Sequence, residues 1–503
     1  MKHPPRLNAI GPTEFFLGAG VQNRNSAATL DGMKILPASR CIIFALRKYG
    51  FVFLLAALSA PLWASSAPAA APFAPTPPMG WNSWDAYGTA VREGQVKSVA
   101  DVMSKELKQY GWQYVVVDIE WYAPHSQGHD YKAGAKLTMD ANGRLLPAIN
   151  RFPSAANGAG FRALADYIHA RGLKFGIHIL RGIPRQAVEE NTPILGSTAH
   201  AADIADKQHL CAWNPDMYGV DMSKPGAQQY YDSIAALYAS WGVDFIKADD
   251  MSRPYRQRQP EVEALHKAIL KTGRPIVLSL SPGPAPLAMA RSLRQNAQMW
   301  RISDDFWDQW KLLRQQFDYE QNWAPYIGRN HTWPDADMLP LGRIGAPGEN
   351  SNGRRDSRFS QDEQRTLMTL WTIARSPLMF GGDLAGNSLD SDPWTKSLLT
   401  NPEVLAIDQH SRNNHPAYAQ GQIRSWVADS ASPAKRKYLA VFNLGDKEAA
   451  VNLGWSAFGL SWKSVQVRDL WQRNTLGEKK KLTVTIPAHG CVYYALTSAS
   501  GKK

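Results

Sequence analysis

Cysteine is scarce in this chain: three in 503 residues, Cys41, Cys211 and Cys491. So few thiols exclude a disulfide framework, and Cys211 and Cys491 stand too far apart in sequence for a pairing to be assigned. No Cys/His cluster has the spacing of a zinc site, and neither a metal nor another cofactor is expected. Apolar runs all fall short of the roughly 18 residues that a membrane span requires. No glycine-rich phosphate loop follows any apolar run, which counts against an open, doubly wound dinucleotide-binding sheet. A basic stripe is missing too. The net charge is +12, but residues 1–71 hold seven basic and two acidic groups and so carry five of that surplus. The remainder is dispersed, apart from Lys479-Lys480-Lys481, which reads as a solvated turn, and nucleic acid is not expected as a partner.

What is present begins with a targeting pattern. Arg47-Lys48 form a basic region, 50–62 is apolar, and small residues follow at Ala64 and Ala67. That is the layout of a signal peptide, and it implies a secreted or periplasmic protein with no stable membrane insertion after cleavage. Met33 begins a segment of more typical signal length, so 1–32 reads as an upstream start. Residues 1–64 are therefore assigned to an N-terminal extension and signal peptide, and 65–76, rich in Ala and Pro, to a linker. The rest is long enough for two domains.

From 77 to 410, short β-rich runs alternate with amphipathic helical stretches. The runs lie at 79–84, 114–119, 174–179, 244–249, 275–280, 299–303, 335–339 and 377–383. Helical spacing is clearest at 93–110, where Val96, Val99, Val102, Met103 and Leu107 share a face. Similar helices fit 160–171, 225–241, 260–272, 307–317 and 361–374. Strand–helix repeats of this kind predict parallel βαβ units and a (β/α)8 TIM barrel. From 411 to 498 the period changes to two, with Gly and Asn turns, which predicts a C-terminal antiparallel β-sandwich.

Two of the predicted barrel strands end in carboxylates: Phe245-Ile246-Lys247-Ala248-Asp249-Asp250 and Trp300-Arg301-Ile302-Ser303-Asp304-Asp305. An aspartate ending a buried strand is costly unless it is used. Paired carboxylates on a barrel rim suit cleavage of a glycosidic bond. Lys247 and Asp249 alternate onto one face, so the ammonium favours an ionised Asp249. Asp250 and Asp304 are rival carboxylates, since a one-residue shift at a strand end exchanges roles; helix capping is the bland alternative. Eighteen tryptophans fit stacking on pyranose rings, though large cores also bury indoles. Trp84 is placed toward a sugar, Trp81 as readily in the core, and Trp121 and His178 between lining and interior. Asp337 reads as structural, and Asp383 after Gly381-Gly382 as a lesser candidate for contact.

Pro78-Met79-Gly80-Trp81-Asn82-Ser83-Trp84 resembles the opening strand of glycoside hydrolase family 27, the α-galactosidase (melibiase) family of clan D. The resemblance continues through 114–121, Lys247–Asp249, 300–305, 334–339, Arg375-Ser376-Pro377-Leu378 and 401–409, and into Arg468-Asp469-Leu470-Trp471 and 486–490. It spans roughly 76–498. It implies a retaining exo-glycosidase with Asp249 as nucleophile, Asp305 as acid/base, Arg301 near the sugar 2-hydroxyl, and an α-galactoside or related glycan as substrate. Family α-galactosidases carry two adjacent aspartates at the end of strand 2 for the 4- and 6-hydroxyls. This chain has Asp118-Ile119-Glu120-Trp121, so Glu120 either replaces the second aspartate or the pocket takes another glycone. Strand 5 ends in Ser281 where the family often has Cys or Glu, and strand 3 ends in His178 and Arg181, more basic than usual. β-L-Arabinopyranosides, α-N-acetylgalactosaminides and isomalto-type glucans are therefore alternative substrates. A non-catalytic carbohydrate-binding barrel is a third reading, weakened by the presence of both aspartates.

Overall fold

The computed structural model describes residues 73–345, 353–385, 389–431 and 436–499. The proposed signal segment at 47–62 and most of the linker lie outside them. Eight parallel strands form one curled sheet: β1 (Met79–Asn82), β2 (Tyr114–Val117), β3 (Lys174–Leu180), β4 (Phe245–Asp249), β5 (Val277–Leu280), β6 (Met299–Arg301), β7 (Trp333–Asp335) and β8 (Leu378–Phe380). Neighbours in sequence are neighbours in space, and β1 pairs with β8. A parallel bridge between Leu339 and Phe380 closes the ring on the β7 side. Strands such as β1 and β2 are buried at every position, as a sheet covered on both faces requires, and so they read as continuous apolar runs.

Helices follow the strands: α1 (Glu93–Val102), α2 (Arg162–His169), α3 (Ala227–Ser240), α4 (Tyr255–Lys271), α5 (Ala290–Asn296), α6 (Trp310–Trp323) and α7 (Gln361–Ala374). α7 starts at Ser360, whose hydroxyl accepts from Glu363 N while the Glu363 side chain accepts from Ser360 N, the reciprocal box that satisfies two otherwise orphaned donors. The predicted seventh strand is displaced. Residues 333–335 pair with β6 instead of 335–339, because Pro334 sits where β7 is bonded along one side only and needs no donor. The chain then turns through Asp337 at φ +90° before Leu339 rejoins the sheet. The 93–110 helix holds its α form only to Val102 and continues as a wider turn and a 3-10 turn.

After helix α8 (Pro402–His410), a six-stranded antiparallel sheet is built from β9 (Ser411–Gln420), β10 (Ile423–Ser430), β11 (Arg436–Asn443), β13 (Val465–Asp469), β14 (Asn474–Lys479) and β16 (Cys491–Ser498). A two-stranded ribbon of β12 (Ala449–Gly454) and β15 (Lys481–Ile486) covers it, and Val451, Trp455, Leu482 and Leu496 fill the space between. The other face of the sheet packs on the barrel. Phe442 meets Phe317 of α6 edge-on with ring centres 4.9 Å apart. Trp471 Nε1 donates to Thr369 Oγ1 of α7 at 2.9 Å. The Arg375 guanidinium donates to the carbonyls of Asp408, Gln409 and Ser411, tying barrel to sandwich where the chain passes between them. Cys211 and Cys491 are both free thiols. Among the described residues no helix is long and apolar enough to cross a membrane.

Candidate active site

The C-terminal ends of the barrel strands converge on a cavity of about 350 Å3, within the range that holds a monosaccharide-sized ligand. At its floor, Lys247 projects from β4 beside Asp249, as strand alternation requires. Lys247 Nζ lies 3.0 Å from Asp118 Oδ2 and 3.8 Å from Asp249 Oδ2. Asp118, just past β2, also accepts from Asn82 Nδ2 at 2.7 Å and from Ile119 N at 2.9 Å. Burial would strip the Lys247 proton, but the Asp118 and Asp249 carboxylates outweigh it and hold the amine above its ordinary pKa.

Asp249 is the best-supported anion of the site. Its Oδ2 accepts from His178 Nε2 at 2.7 Å, and its Oδ1 accepts from the Ser281 hydroxyl. Burial pushes its pKa up, yet Lys247 and the His178 and Ser281 hydrogen bonds prevail and hold it well below the usual carboxylate range. A carboxylate so held is ionised, aimed at the cavity, and suited to nucleophilic attack.

Across the cavity, Arg301 ends β6. One guanidinium nitrogen reaches Asp337 Oδ2 at 2.6 Å and Asp305 Oδ1 at 3.3 Å. Burial raises the Asp337 carboxyl above the usual range against the pull of Arg301, and the Asp305 and Asp335 carboxylates add to it. The Asp305 side chain is 65% exposed, at the mouth of the cavity. The rival carboxylates separate cleanly. Asp250 takes φ +57° and turns away from the cavity to Arg181 and Arg258. Asp304 remains at the mouth, paired with Arg253 at 2.7 Å.

Of the residues expected in the site, Trp84, Asp118, Lys247, Asp249, Arg301 and Asp305 line the cavity. His178 and Ser281 stand behind Asp249 as its hydrogen-bond donors. Glu120, Trp121 and Arg181 are not brought to it. Glu120 points away to Ser126 and Asn214, and burial with the nearby Asp216 carboxylate raises its pKa. Trp121 is core, its indole N–H donating to the His178 carbonyl at 2.7 Å. Arg181 is buried between Asp250 and Glu261. Glu120 therefore does not stand in for an aspartate at Ile119, and Ile119 itself faces the cavity. Sequence reasoning missed Asp85, Tyr131 and Trp213, and treated Asp337 as structural. Tyr131 lies on the loop after β2 and packs parallel to Trp84 at 6.2 Å; Trp213 lies on the long excursion after β3 and packs on Tyr131 at 5.4 Å. Neither loop carries a period that marks its residues as inward-facing. For Asp337 the signal was available, as a carboxylate two residues past a strand end.

The "Alpha galactosidase A" family model matches residues 76–223 and 215–410, and the "Alpha galactosidase C-terminal beta sandwich domain" model matches 420–496. A glycoside hydrolase family 27 β-L-arabinopyranosidase from Geobacillus stearothermophilus superposes with a TM-score of 0.82 at 50% identity, covering 86% of this chain and 98% of that one. Alpha-galactosidase 2 of Arabidopsis thaliana is 28% identical over 431 residues, 84% of this chain and 89% of the relative. The alpha-N-acetylgalactosaminidase of Gallus gallus is 28% identical over 354 residues, 66% of this chain and 70% of the relative. The chain belongs to the melibiase family of glycoside hydrolases, glycoside hydrolase family 27.

Lys247→Met removes the cation that Asp118 and Asp249 share. The Asp249 pKa then rises, so the acid limb of the kcat/KM profile is expected to move to higher pH, with activity lost first on the acidic side. Stability above the usual carboxylate range, which a depressed folded-state pKa supplies and which fades as pH falls, is expected to drop by roughly 3 kcal/mol because two buried carboxylates lose their counter-ion. A pH–rate profile and urea unfolding at pH 5 and 7 check both; an unmoved acid limb would leave His178 and Ser281 as the groups that set Asp249.

Proposed function

We propose that this family member is a retaining exo-glycosidase whose preferred glycone is a terminal β-L-arabinopyranosyl group, with α-galactosyl as the slower substrate. The observation that carries the choice of glycone is Ile119 on the cavity wall. β-L-Arabinopyranose and α-D-galactopyranose share ring configuration and differ by the hydroxymethyl arm. An apolar wall accommodates the pentose and leaves the 6-hydroxyl of galactose without a partner. The 50%-identical relative named for the arabinopyranoside reaction supports this order. The curated α-galactosidases at 28% identity keep α-galactosides as the second reading.

In this reading the glycone enters first, because the floor at Asp118, Asp249 and Arg301 is buried while Asp304, Asp305 and Trp213 at the mouth are exposed. Asp249 Oδ attacks the anomeric carbon as the bond from that carbon to the leaving oxygen breaks. Asp305 gives its proton to that oxygen, so the departing group leaves as an alcohol. Asp305 then takes a proton from water, which attacks the glycosyl–Asp249 ester, returns the carboxylate and releases the sugar with its configuration retained. Two aspartates serve in different roles because one is buried among donors and the other reaches solvent. We also infer export: the basic–apolar–small pattern at 47–67 is the support. Mass spectrometry of the protein recovered from a bacterial host is expected to find a new N-terminus between 64 and 68; an intact leader on active cytoplasmic protein would overturn this.

Asp249→Asn is expected to fold and lose turnover by at least about 1,000-fold, since an amide cannot form the glycosyl ester, with azide partly restoring cleavage of a dinitrophenyl glycoside. Asp305→Asn is expected to hurt substrates with poor leaving groups far more than the dinitrophenyl glycoside. Equal losses across leaving groups would remove Asp305 from the proton-donor role.

Ile119→Asp tests the glycone. The uncompensated 6-hydroxyl costs roughly 1–3 kcal/mol, so the substitution is expected to shift the galactoside-to-arabinopyranoside ratio of kcat/KM by about 5- to 150-fold toward galactose. A wild type that already cleaves α-galactosides faster, and that Ile119→Asp slows, would sink the proposed preference.

A further inference from the structure

Asp85 has no task in the chemistry above, although it sits in the cavity wall. It belongs to the single helical turn Trp84–Tyr87 that follows β1, it is 2% exposed, and it lines the cavity with Asp118, Ile119 and Asp337. Every other carboxylate of that lining holds a hydrogen bond or ion pair: Asp118 and Asp249 with Lys247, Asp305 and Asp337 with Arg301, Asp304 with Arg253. Asp85 Oδ2 is buried and has no hydrogen-bond partner, alone among the carboxylate oxygens of the described lining. A buried oxygen left in this state costs free energy unless a ligand completes it. Room is kept for it from the opposite side. A Cβ at Gly381, just past β8, would stand 1.9 Å from Oδ2, so the glycine there is what lets the carboxyl occupy its place.

We propose that Asp85 is a glycone-binding and specificity-determining residue that takes a hydroxyl of the bound pyranose. This rests on the exo-glycosidase reading. The charged groups facing Asp85 favour it as a neutral acid: burial raises its pKa most, Asp337, Asp118 and Asp308 add to that, and Lys247 alone opposes. A protonated carboxyl presents one donor and an acceptor. A sugar hydroxyl, itself donor and acceptor, is satisfied by it in both senses. The same neutrality adds no further charge to a site already holding Asp118 and Asp249.

The test compares wild type, Asp85→Ala and Asp85→Asn on the aryl pyranoside that wild type cleaves best, on its monodeoxy analogues, and in the Kd for free L-arabinose. Asp85→Ala is expected to lower kcat/KM by roughly 10- to 100-fold, chiefly through KM, and to raise the L-arabinose Kd in parallel. Asp85→Asn, which keeps a donor and an acceptor, is expected to recover most of that loss. For one monodeoxy analogue, the one lacking the hydroxyl that Asp85 takes, wild type and Asp85→Ala become equal. An Asp85→Ala enzyme that loses the same factor on every analogue, or that binds L-arabinose as wild type does while melting earlier, overturns the assignment and leaves Asp85 a structural residue. A wild type that cleaves no pyranoside overturns the functional reading as well, a result distinct from failure at Asp85 alone.

Discussion

The Lys247 ammonium, placed between Asp118 and Asp249, is the interaction on which the rest of the site depends. Removing one ion from water costs several kcal/mol, and a buried cluster is tolerated only when geometry returns that energy through close contacts. The barrel provides the geometry. Three consecutive strands in space, β2, β3 and β4, deliver Asp118, His178 and the Lys247/Asp249 pair from adjacent ends. Strand alternation aims Lys247 and Asp249 into one space without any loop having to be ordered for the purpose. Asn82 from β1 adds a second donor to Asp118 Oδ2, and Ser281 beyond β5 donates to Asp249 Oδ1. Asp249 is thus fixed by rigid elements on both sides, which is where precise positioning is cheapest.

Backbone conformation just past the strand ends decides which of two neighbouring carboxylates faces the cavity. Asp249 is the last residue of β4 and faces inward; Asp250, one step later in the left-handed region, swings outward to two arginines. Asp337 also has a positive φ and is turned toward Arg301. Non-glycine residues rarely adopt such angles, and both here are held by short contacts to buried guanidinium groups. Strain and ion pairing therefore work together: the arginine compensates the residue for its backbone, and the backbone sets the carboxyl where the arginine is.

Much of this was legible before any coordinates. Short apolar runs between stretches of period 3.6 marked the barrel strands, the seventh with displaced bounds, because a doubly covered sheet must be apolar throughout, and the change to period two marked the antiparallel C-terminal domain. Where reading failed, a local rule was overridden by context. The seventh run was placed at 335–339, whereas the strand is 333–335 and includes Pro334, which is tolerated because β7 is bonded along one side at that point. Glu120 and Arg181 were placed in the pocket by nearness to strand ends, whereas both are buried in separate polar networks behind it. Trp121 shows the ambiguity of an indole: the same residue type stacks on sugars and fills cores, and only its N–H partner, a main-chain carbonyl, reveals which. Tyr131 and Trp213 come from excursions whose path no periodicity encodes.

The charge balance of the cavity ties specificity to mechanism. Its buried lining holds four carboxyl groups, Asp85, Asp118, Asp249 and Asp337, against two cations, Lys247 and Arg301. Asp85 is raised in pKa by burial and by its acidic neighbours, so a proton there limits the negative surplus that the site has to carry, while Asp337 is paired with Arg301. The carboxyl held well below the usual range is Asp249, next to Lys247. A neutral pyranose enters such a site without a change in charge, while a uronic acid or a phosphorylated sugar would bring an anion into a cavity whose described lining holds no unpaired cation to receive it. In the proposed reaction, positive character that develops at the anomeric carbon would be met by the Asp249 carboxylate, already held ionised and oriented. Stabilisation of that kind appears only as charge develops, which is the condition for accelerating the reaction instead of merely binding the substrate.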